Sequence, residues 1–192
     1  MQAIYAEGTS PVRPDLSVVR LGGGSASHRP SVSATCPYIM RLDSRHEAQL
    51  SALLCAFDRA DRINRFGHPA SNACMRSYAT DTLARTDHIA GALDASRLIG
   101  VVEVFAARAG VAEVAFAIDA EWRGRGVASA LLEVATRWAE HASVAALRLV
   151  ISRNNWPMRQ FAQKAGARLD LCLDEVFADI TVPKTAALDI SA

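Results

Sequence analysis

The chain has 192 residues, which suits one domain with some excess, since single domains commonly run to about 100–150 residues. Hydrophobic residues make up 51% and charged residues 21%, close to ordinary globular usage, which argues against disorder of the chain as a whole. The formal net charge is +1, from 21 basic and 20 acidic residues, so no whole-chain excess points to nucleic acid or an acidic membrane, and any anion site must be local.

Cys36, Cys55, Cys74 and Cys172 are scattered, with no C-x-x-C pair and no clustered histidines. Neither a metal site nor a disulfide framework is expected, and the four are read as reduced core thiols. No stretch approaches the about 18 apolar residues of a membrane span, and no basic segment leads into an apolar one near the start. No membrane partner and a cytoplasmic address are therefore expected.

Residues 1–36 carry Pro11, Pro14, Gly22-Gly23-Gly24 and Pro30 among several serines, the composition of turns and linkers. They read as an N-terminal extension, flexible or loosely docked, in which Leu16–Leu21 is compatible with an edge strand and Met1–Tyr5 with docking on the domain. From Tyr38 the texture changes. Tyr38-Ile39-Met40-Arg41-Leu42 reads as a strand, and Asp43 or Ser44 can cap a helix beginning near Arg45. Leu50, Leu53, Leu54 and Phe57 fall at i, i+3, i+4 and i+7, one buried helical stripe ending near Asp58. A weaker helix follows around Ala60–Asn64, Gly67-His68-Pro69 breaks it, and Ser71 can cap a third carrying Met75, Tyr78 and Leu83.

His88–Leu93 and Leu98–Ala106 read as strands joined by a hairpin loop at Asp94–Arg97, and Ala109-Gly110 turns the chain again. Val111–Ile118 is the next strand. Val114, Phe116 and Ile118 form its large, core side, and Glu113, Ala115 and Ala117 its small side. The small side leaves room either for a ligand or for a closely packed helix. Val127, Ala130, Leu131, Val134, Ala135 and Trp138 mark a helix from Val127 to about His141. Leu147–Ile151 reads as a buried strand. Trp156–Ala165 reads as a helix with Pro157 in its first turn and Gly166 past its end. Leu169–Leu173 and Val176–Val182 close as strands separated by Asp174-Glu175. Residues 185–192 are left as a tail, so the folded domain is expected over 37–184.

Strand, helix and strand from Val111 through Ile151 make a β-α-β unit whose strands can lie parallel. Its first turn is Arg123-Gly124-Arg125-Gly126-Val127-Ala128. Helix N-termini leave backbone N–H groups unpaired and carry about half a positive charge, which suits phosphate oxygens. Gly124 and Gly126 permit close approach, and Arg123 and Arg125 add charge, although Gly-x-Gly before a helix also serves as a plain tight turn and arginines beside glycine are common in solvated ones. The run lacks the Lys-Ser/Thr ending of a Walker motif and the Gly-x-Gly-x-x-Gly spacing of dinucleotide binders.

Arg123 to Ala128 resembles the Arg/Gln-x-x-Gly-x-Gly/Ala motif of the GNAT superfamily of N-acetyltransferases. The resemblance extends from about Tyr38 to Val182 and includes the strand order, the long helix after the motif, and Asn155 through Gly166. It implies an α/β (α+β) fold: a mixed, mostly antiparallel twisted sheet with a central parallel strand pair and flanking helices. It implies acetyl-CoA as co-substrate, with the pyrophosphate on the amides of Arg123, Gly124, Arg125, Gly126, Val127 and Ala128. It places the pantetheine arm along the strand backbone near Phe116 and Ile118, with Asn155 at the cofactor or its bound water.

Acetyl transfer to an amine needs the neutral amine, whereas a free lysine with a pKa near 10.4 is protonated at pH 7. A carboxylate must take that proton, directly or through water, and burial on the small side of a strand would tune it for the task. Glu113 meets that description, with Glu103 on the neighbouring strand as competitor. Ala112-Glu113-Val114-Ala115 is similar to the corresponding strand of bacterial protein-lysine acetyltransferases, where this glutamate is the proposed base. Arg62-Ile63-Asn64-Arg65-Phe66 also resembles a segment of that subgroup, although solvated arginines at an amphipathic helix end explain it without a substrate role.

Many members of the superfamily carry a tyrosine seven residues after the asparagine, as acid toward the leaving thiolate. Here that position is Ala162, and neighbouring Phe161 has no hydroxyl. The acceptor implied is a primary amine, a protein lysine before a small molecule. A sensor that binds acetyl-CoA and turns over poorly is the reading from another class. A homodimer is compatible with the sequence. His46, His68, His88 and His141 lie in different elements and read as surface or cap residues, while Cys74 and Cys172 read as core.

Overall fold

The computed structural model describes residues 19–20 and 37–183. The expected docking of Met1–Tyr5, the rest of the N-terminal extension apart from residues 19–20, Cys36 and the tail at 185–192 lie outside the described residues. Val19–Arg20 (β1) pairs antiparallel with Tyr38–Arg41 (β2), the pairing foreseen within Leu16–Leu21.

Helices follow where caps and apolar spacing place them. Asp43 caps a 3-10 turn at Ser44–His46, completed by a hydrogen bond from the Asp43 N–H to His46 Nδ1, and α1 runs from Glu47 to Cys55. Its fully buried Leu50 and Leu54 each contribute about 1.5–3 kcal/mol of apolar burial. Phe57 lies beyond the end of α1 yet stays buried, so the i+7 contact is made from the link to the next helix. That helix, α2, spans Arg59–Phe66 and is capped by Asp58. Helix α3, Asn72–Arg85, is capped by Ser71.

Strands β3 (His88–Asp94) and β4 (Arg97–Val104) are paired down to Asp94 and Arg97, leaving Ala95-Ser96 as the turn. β5 (Val111–Ile118) runs antiparallel to β4, α4 spans Val127–His141, and β6 (Ala146–Ser152) returns parallel to β5. After α5 (Trp156–Lys164), β7 (Arg168–Cys172) and β8 (Glu175–Thr181) turn at Leu173-Asp174, and β8 inserts between β6 and β7. The sheet order is β1-β2-β3-β4-β5-β6-β8-β7, mixed, with β5–β6 as its parallel pair.

Two apolar layers sandwich the sheet. On one side α4 packs Val127, Leu131, Val134 and Ala135 against Val102, Val104, Val114 and Phe116, and α5 continues that layer with Ala162. Gly100 lets α4 approach, since a Cβ there would lie 2.8 Å from Ile118 Cδ1 and 2.9 Å from Val127 Cγ1. On the other side α1 and α3 pack Leu50, Leu54, Met75 and Ala79 against Ile89, Val101 and Ala117. Of the two readings of the small side of β5, the closely packed helix therefore holds at Ala117.

Several expectations are corrected. β6 is buried on one face only: Leu147, Leu149 and Ile151 join the α4–α5 layer, while Val150 on the other face is 37% exposed. Cys74 and Cys172 are exposed and Cys55 half-buried, all with free thiols, so none is a fully buried core residue. His88 is neither a surface nor a cap residue. It is buried, stacks on Trp138 with ring centroids 5.7 Å apart, and has no hydrogen-bond partner on either ring nitrogen.

Burial, aided by the nearby Arg41 charge, lowers the pKa of His88 to about 4. Between that value and the ordinary 6.5 the unfolded chain binds a proton that the native chain does not. Stability is thus unaffected by this group above about pH 6.5 and is lost as pH falls toward 4, by roughly 3 kcal/mol. Urea titrations at pH 7 and pH 4.5 should show this loss in the native protein and a smaller one in His88→Leu. An unchanged difference would mean that another group is responsible.

Candidate active site

Strands β5 and β6 are paired only at Val111–Ala146, Ala112–Leu147 and Glu113–Arg148, although β5 continues to Ile118 and β6 to Ser152. Beyond Glu113 the two diverge and open a cleft. The carbonyl of Glu113 accepts from Phe105 N–H and Asp119 N–H donates to Ile99 O, so odd-numbered residues of β5 bond toward β4. Backbone groups alternate sides along a strand. Those of Val114, Phe116 and Ile118 therefore point into the cleft, where the ladder to β6 has ended.

The strand leads into the loop through a short turn. Asp119, 8% exposed, accepts from Glu121 N–H at 2.9 Å and from Arg97 Nη2 at 2.5 Å, fixing the exit of β5. Gly124 and Gly126 have φ of 72° and 83°, the left-handed region that costs other residues about 1–2 kcal/mol. A Cβ on either would meet nothing within 4 Å, so glycine here serves the backbone path and leaves space above it open. Gly126 is the N-cap of α4 and provides no side-chain cap, unlike Asp58, Ser71 and Asn155 on α2, α3 and α5. The first N–H groups of α4 thus lack the partner a helix start normally recruits.

Both arginines of the loop have partners within the protein. Arg123 forms an ion pair with Asp61 of α2 at 2.7 Å and donates to Ile118 O at 3.3 Å. Arg125 lies over the Trp122 ring, 5.2 Å from its centroid. Asn155 caps α5, its Oδ1 accepting from Met158 N–H at 3.2 Å, which leaves its amide nitrogen for other partners. The side chains of Phe116 and Phe161 meet edge to face at 5.5 Å, so Phe116 borders the cleft through its backbone while its ring is core. Ala162 is fully buried.

Glu113 is exposed, which corrects its expected burial: the helices that cover Ala117 do not reach the start of β5. Its parallel neighbour Arg148 is held by two bonds of 2.7 Å to Asp179. Glu103 is the buried one, at 1% exposure, bonded to Arg65 and, at 2.7 Å, to the Tyr78 hydroxyl. Burial and the Glu103 charge raise the pKa of Tyr78, so it stays a hydrogen-bond donor. Engaged with two partners, Glu103 is not available as Glu113 is.

Arg62 and Arg65 of α2 are engaged with protein groups rather than left to solvent. Arg62 donates to Phe57 O, Cys55 O, Ala70 O and Asn72 Oδ1 at 2.6–2.9 Å, and Arg65 is paired with Glu103. Sequence reasoning missed Asp61, which meets Arg123 from 62 positions away without any local pattern, and Asp119, whose capping of a short turn is a readable signal. Among the described residues no group of three or more His, Cys, Asp or Glu is placed to hold a metal ion, and no helix is long and apolar enough to cross a membrane.

This arrangement, a mixed sheet whose parallel pair splays beside a glycine loop at a helix start, is the GNAT fold. It superposes on the GNAT domain of S. lividans PAT with a TM-score of 0.65 at 21% identity, covering 76% of this chain and 90% of that one. A PaiA N-acetyltransferase from Thermoplasma acidophilum, in complex with coenzyme A, gives 0.62 at 17% identity over 77% and 99% of the two chains. The ribosomal-protein-S18-alanine N-acetyltransferase from Escherichia coli gives 0.59 at 14% identity over 81% and 99%. No curated protein sequence matches the chain. The model of the acetyltransferase (GNAT) family matches residues 54–167, more than half of the chain. The chain belongs to the GNAT family of acetyltransferases, and its co-substrate is acetyl-CoA.

Proposed function

We propose that the chain moves an acetyl group from acetyl-CoA to a primary amine, a protein lysine, by direct attack, with Glu113 as general base. The catalytic unit is residues 37–184. The observation that carries the reading is the open edge of β5: its backbone at Phe116 and Ile118, beyond the end of the ladder to β6 and with only the Ile118 carbonyl taken, by Arg123, leads directly into the uncapped start of α4. Amides from Arg123 to Ala128 would receive the pyrophosphate, and Asn155 would use its free amide nitrogen at the cofactor. Glu113, at the point where β5 and β6 part, takes the proton as the amine nitrogen bonds to the acetyl carbon. The sulfur leaves as a thiolate that water protonates, since Ala162 and Phe161 offer no acid.

A lysine acceptor is supported by the resemblance of Ala112–Ala115 and Arg62–Phe66 to bacterial protein-lysine acetyltransferases. The missing acid favours a second reading, an acetyl-CoA-binding regulatory module with slow turnover. Calorimetry with acetyl-CoA, paired with thiol-release assays on lysine peptides, polyamines and amino acids, separates them. Release on lysine peptides supports the first reading, tight binding without release on any amine supports the second, and release on small amines alone refutes the lysine assignment. Gly126→Ala should keep the fold and lose roughly 10–100-fold in coenzyme A affinity, the equivalent of one charge-assisted hydrogen bond. Unchanged affinity would place the pyrophosphate elsewhere.

A further inference from the structure

Helix α2 has no fully buried residue, yet it touches both β5 and β6, the strands that bound the cleft. Its anchorage is polar except at its last residue, where Phe66 packs edge-on against Tyr78. Arg62 and Arg65 tie it to neighbouring helices and to β4, and Asp61 ties it to Arg123 at the start of the glycine loop. The Arg123 guanidinium uses Nε and Nη2 on Ile118 O and Asp61, so the motif arginine is turned back toward α2.

We propose that Asp61 is a positioning residue for acetyl transfer: it holds Arg123 until the cofactor's pyrophosphate competes for the guanidinium, and so links cofactor occupancy to the placement of α2 over the cleft. The inference rests on the proposed pyrophosphate site at Arg123–Ala128. An anion at Gly124–Gly126 is repelled by the Asp61 carboxylate and attracted by Arg123, and one guanidinium cannot serve both at full strength. Arg123 is 46% exposed and can turn, whereas the Asp61 side chain is 17% exposed and is left without its counter-charge. With no fully buried side chain, the first turn of α2 can shift to let that carboxylate reach water. By linkage, whatever cofactor binding does to α2, the position of α2 does in return to cofactor affinity.

The test is calorimetric titration of the full chain with coenzyme A, which binds without turnover, combined with hydrogen exchange of α2. Asp61→Asn and, as a second variant, Asp61→Ser should bind coenzyme A about three- to tenfold more tightly, and Arg123→Gln more weakly. Exchange across Arg59–Phe66 should rise when coenzyme A binds the native chain, and should already be high and insensitive to it in the Asp61 variants. Structural damage alone would weaken binding, so tighter binding is the distinguishing readout. Unchanged or weaker binding by both Asp61 variants, or exchange in α2 that ignores coenzyme A in the native chain, would overturn the proposal. Failure of coenzyme A to bind the native chain would instead remove the pyrophosphate site, and this inference with it.

Discussion

Glu113→Gln is expected to lower kcat at pH 7 by about 10²–10⁴-fold, the range of a positioned general base, with coenzyme A affinity unchanged. The substitution keeps the shape of the side chain at an exposed strand position, where stability effects are usually within about 0.5 kcal/mol, so lost activity would not reflect lost fold. The pH profile carries the sharper signature. Without a base the enzyme depends on the amine deprotonated in solution, whose fraction rises about tenfold per pH unit below a lysine pKa near 10.4. The variant should therefore recover steeply between pH 6 and 9. Activity retained across that range at saturating acetyl-CoA would dismiss Glu113 as the base. Glu103→Gln is the control, because Glu103 is buried with two partners and its loss should appear first as instability.

The largest stability effect is expected at that cluster. Arg65→Ala should cost about 3–5 kcal/mol, because it leaves the Glu103 carboxylate buried without its counter-charge. The pair is imperfectly satisfied as it stands, with Arg65 Nε and Glu103 Oε1 lacking partners. Replacing both residues by apolar ones, Arg65→Met with Glu103→Leu, should accordingly be less destabilising than Arg65→Ala alone. Thermal melts of the single and double variants check this. A double variant as unstable as the sum of its parts would show that the two side chains act independently, against the geometry.

Much of the fold was legible because its signals are local. Apolar spacing along Val127–His141, caps at Ser71 and Asn155, and the glycines at 124 and 126 each act within a few residues, and the observed elements fall where these place them. Where the reading failed, the cause lay in neighbours outside the residue's own helix or strand. Arg62 and Arg65 look like solvated charges on a polar helix until the chain brings Cys55 O, Ala70 O and Glu103 to them. His88 looks like a strand-end polar residue until α4 lays Trp138 over it. Cys172 looks apolar enough for the core until β7 proves to be the last strand of the sheet.

The amino-acid sequence by itself determined the cofactor class. The loop from Arg123 to Ala128 is a contiguous backbone device, whose glycine conformations and helix start are set by neighbouring residues. Tertiary structure alone decided what surrounds that device. It ended the β5–β6 ladder at Glu113, left the backbone of Phe116 and Ile118 facing the cleft, kept Glu113 exposed while burying Glu103, and turned Arg123 toward Asp61. Each of these depends on charges, register and packing between segments tens of residues apart, which no local pattern records.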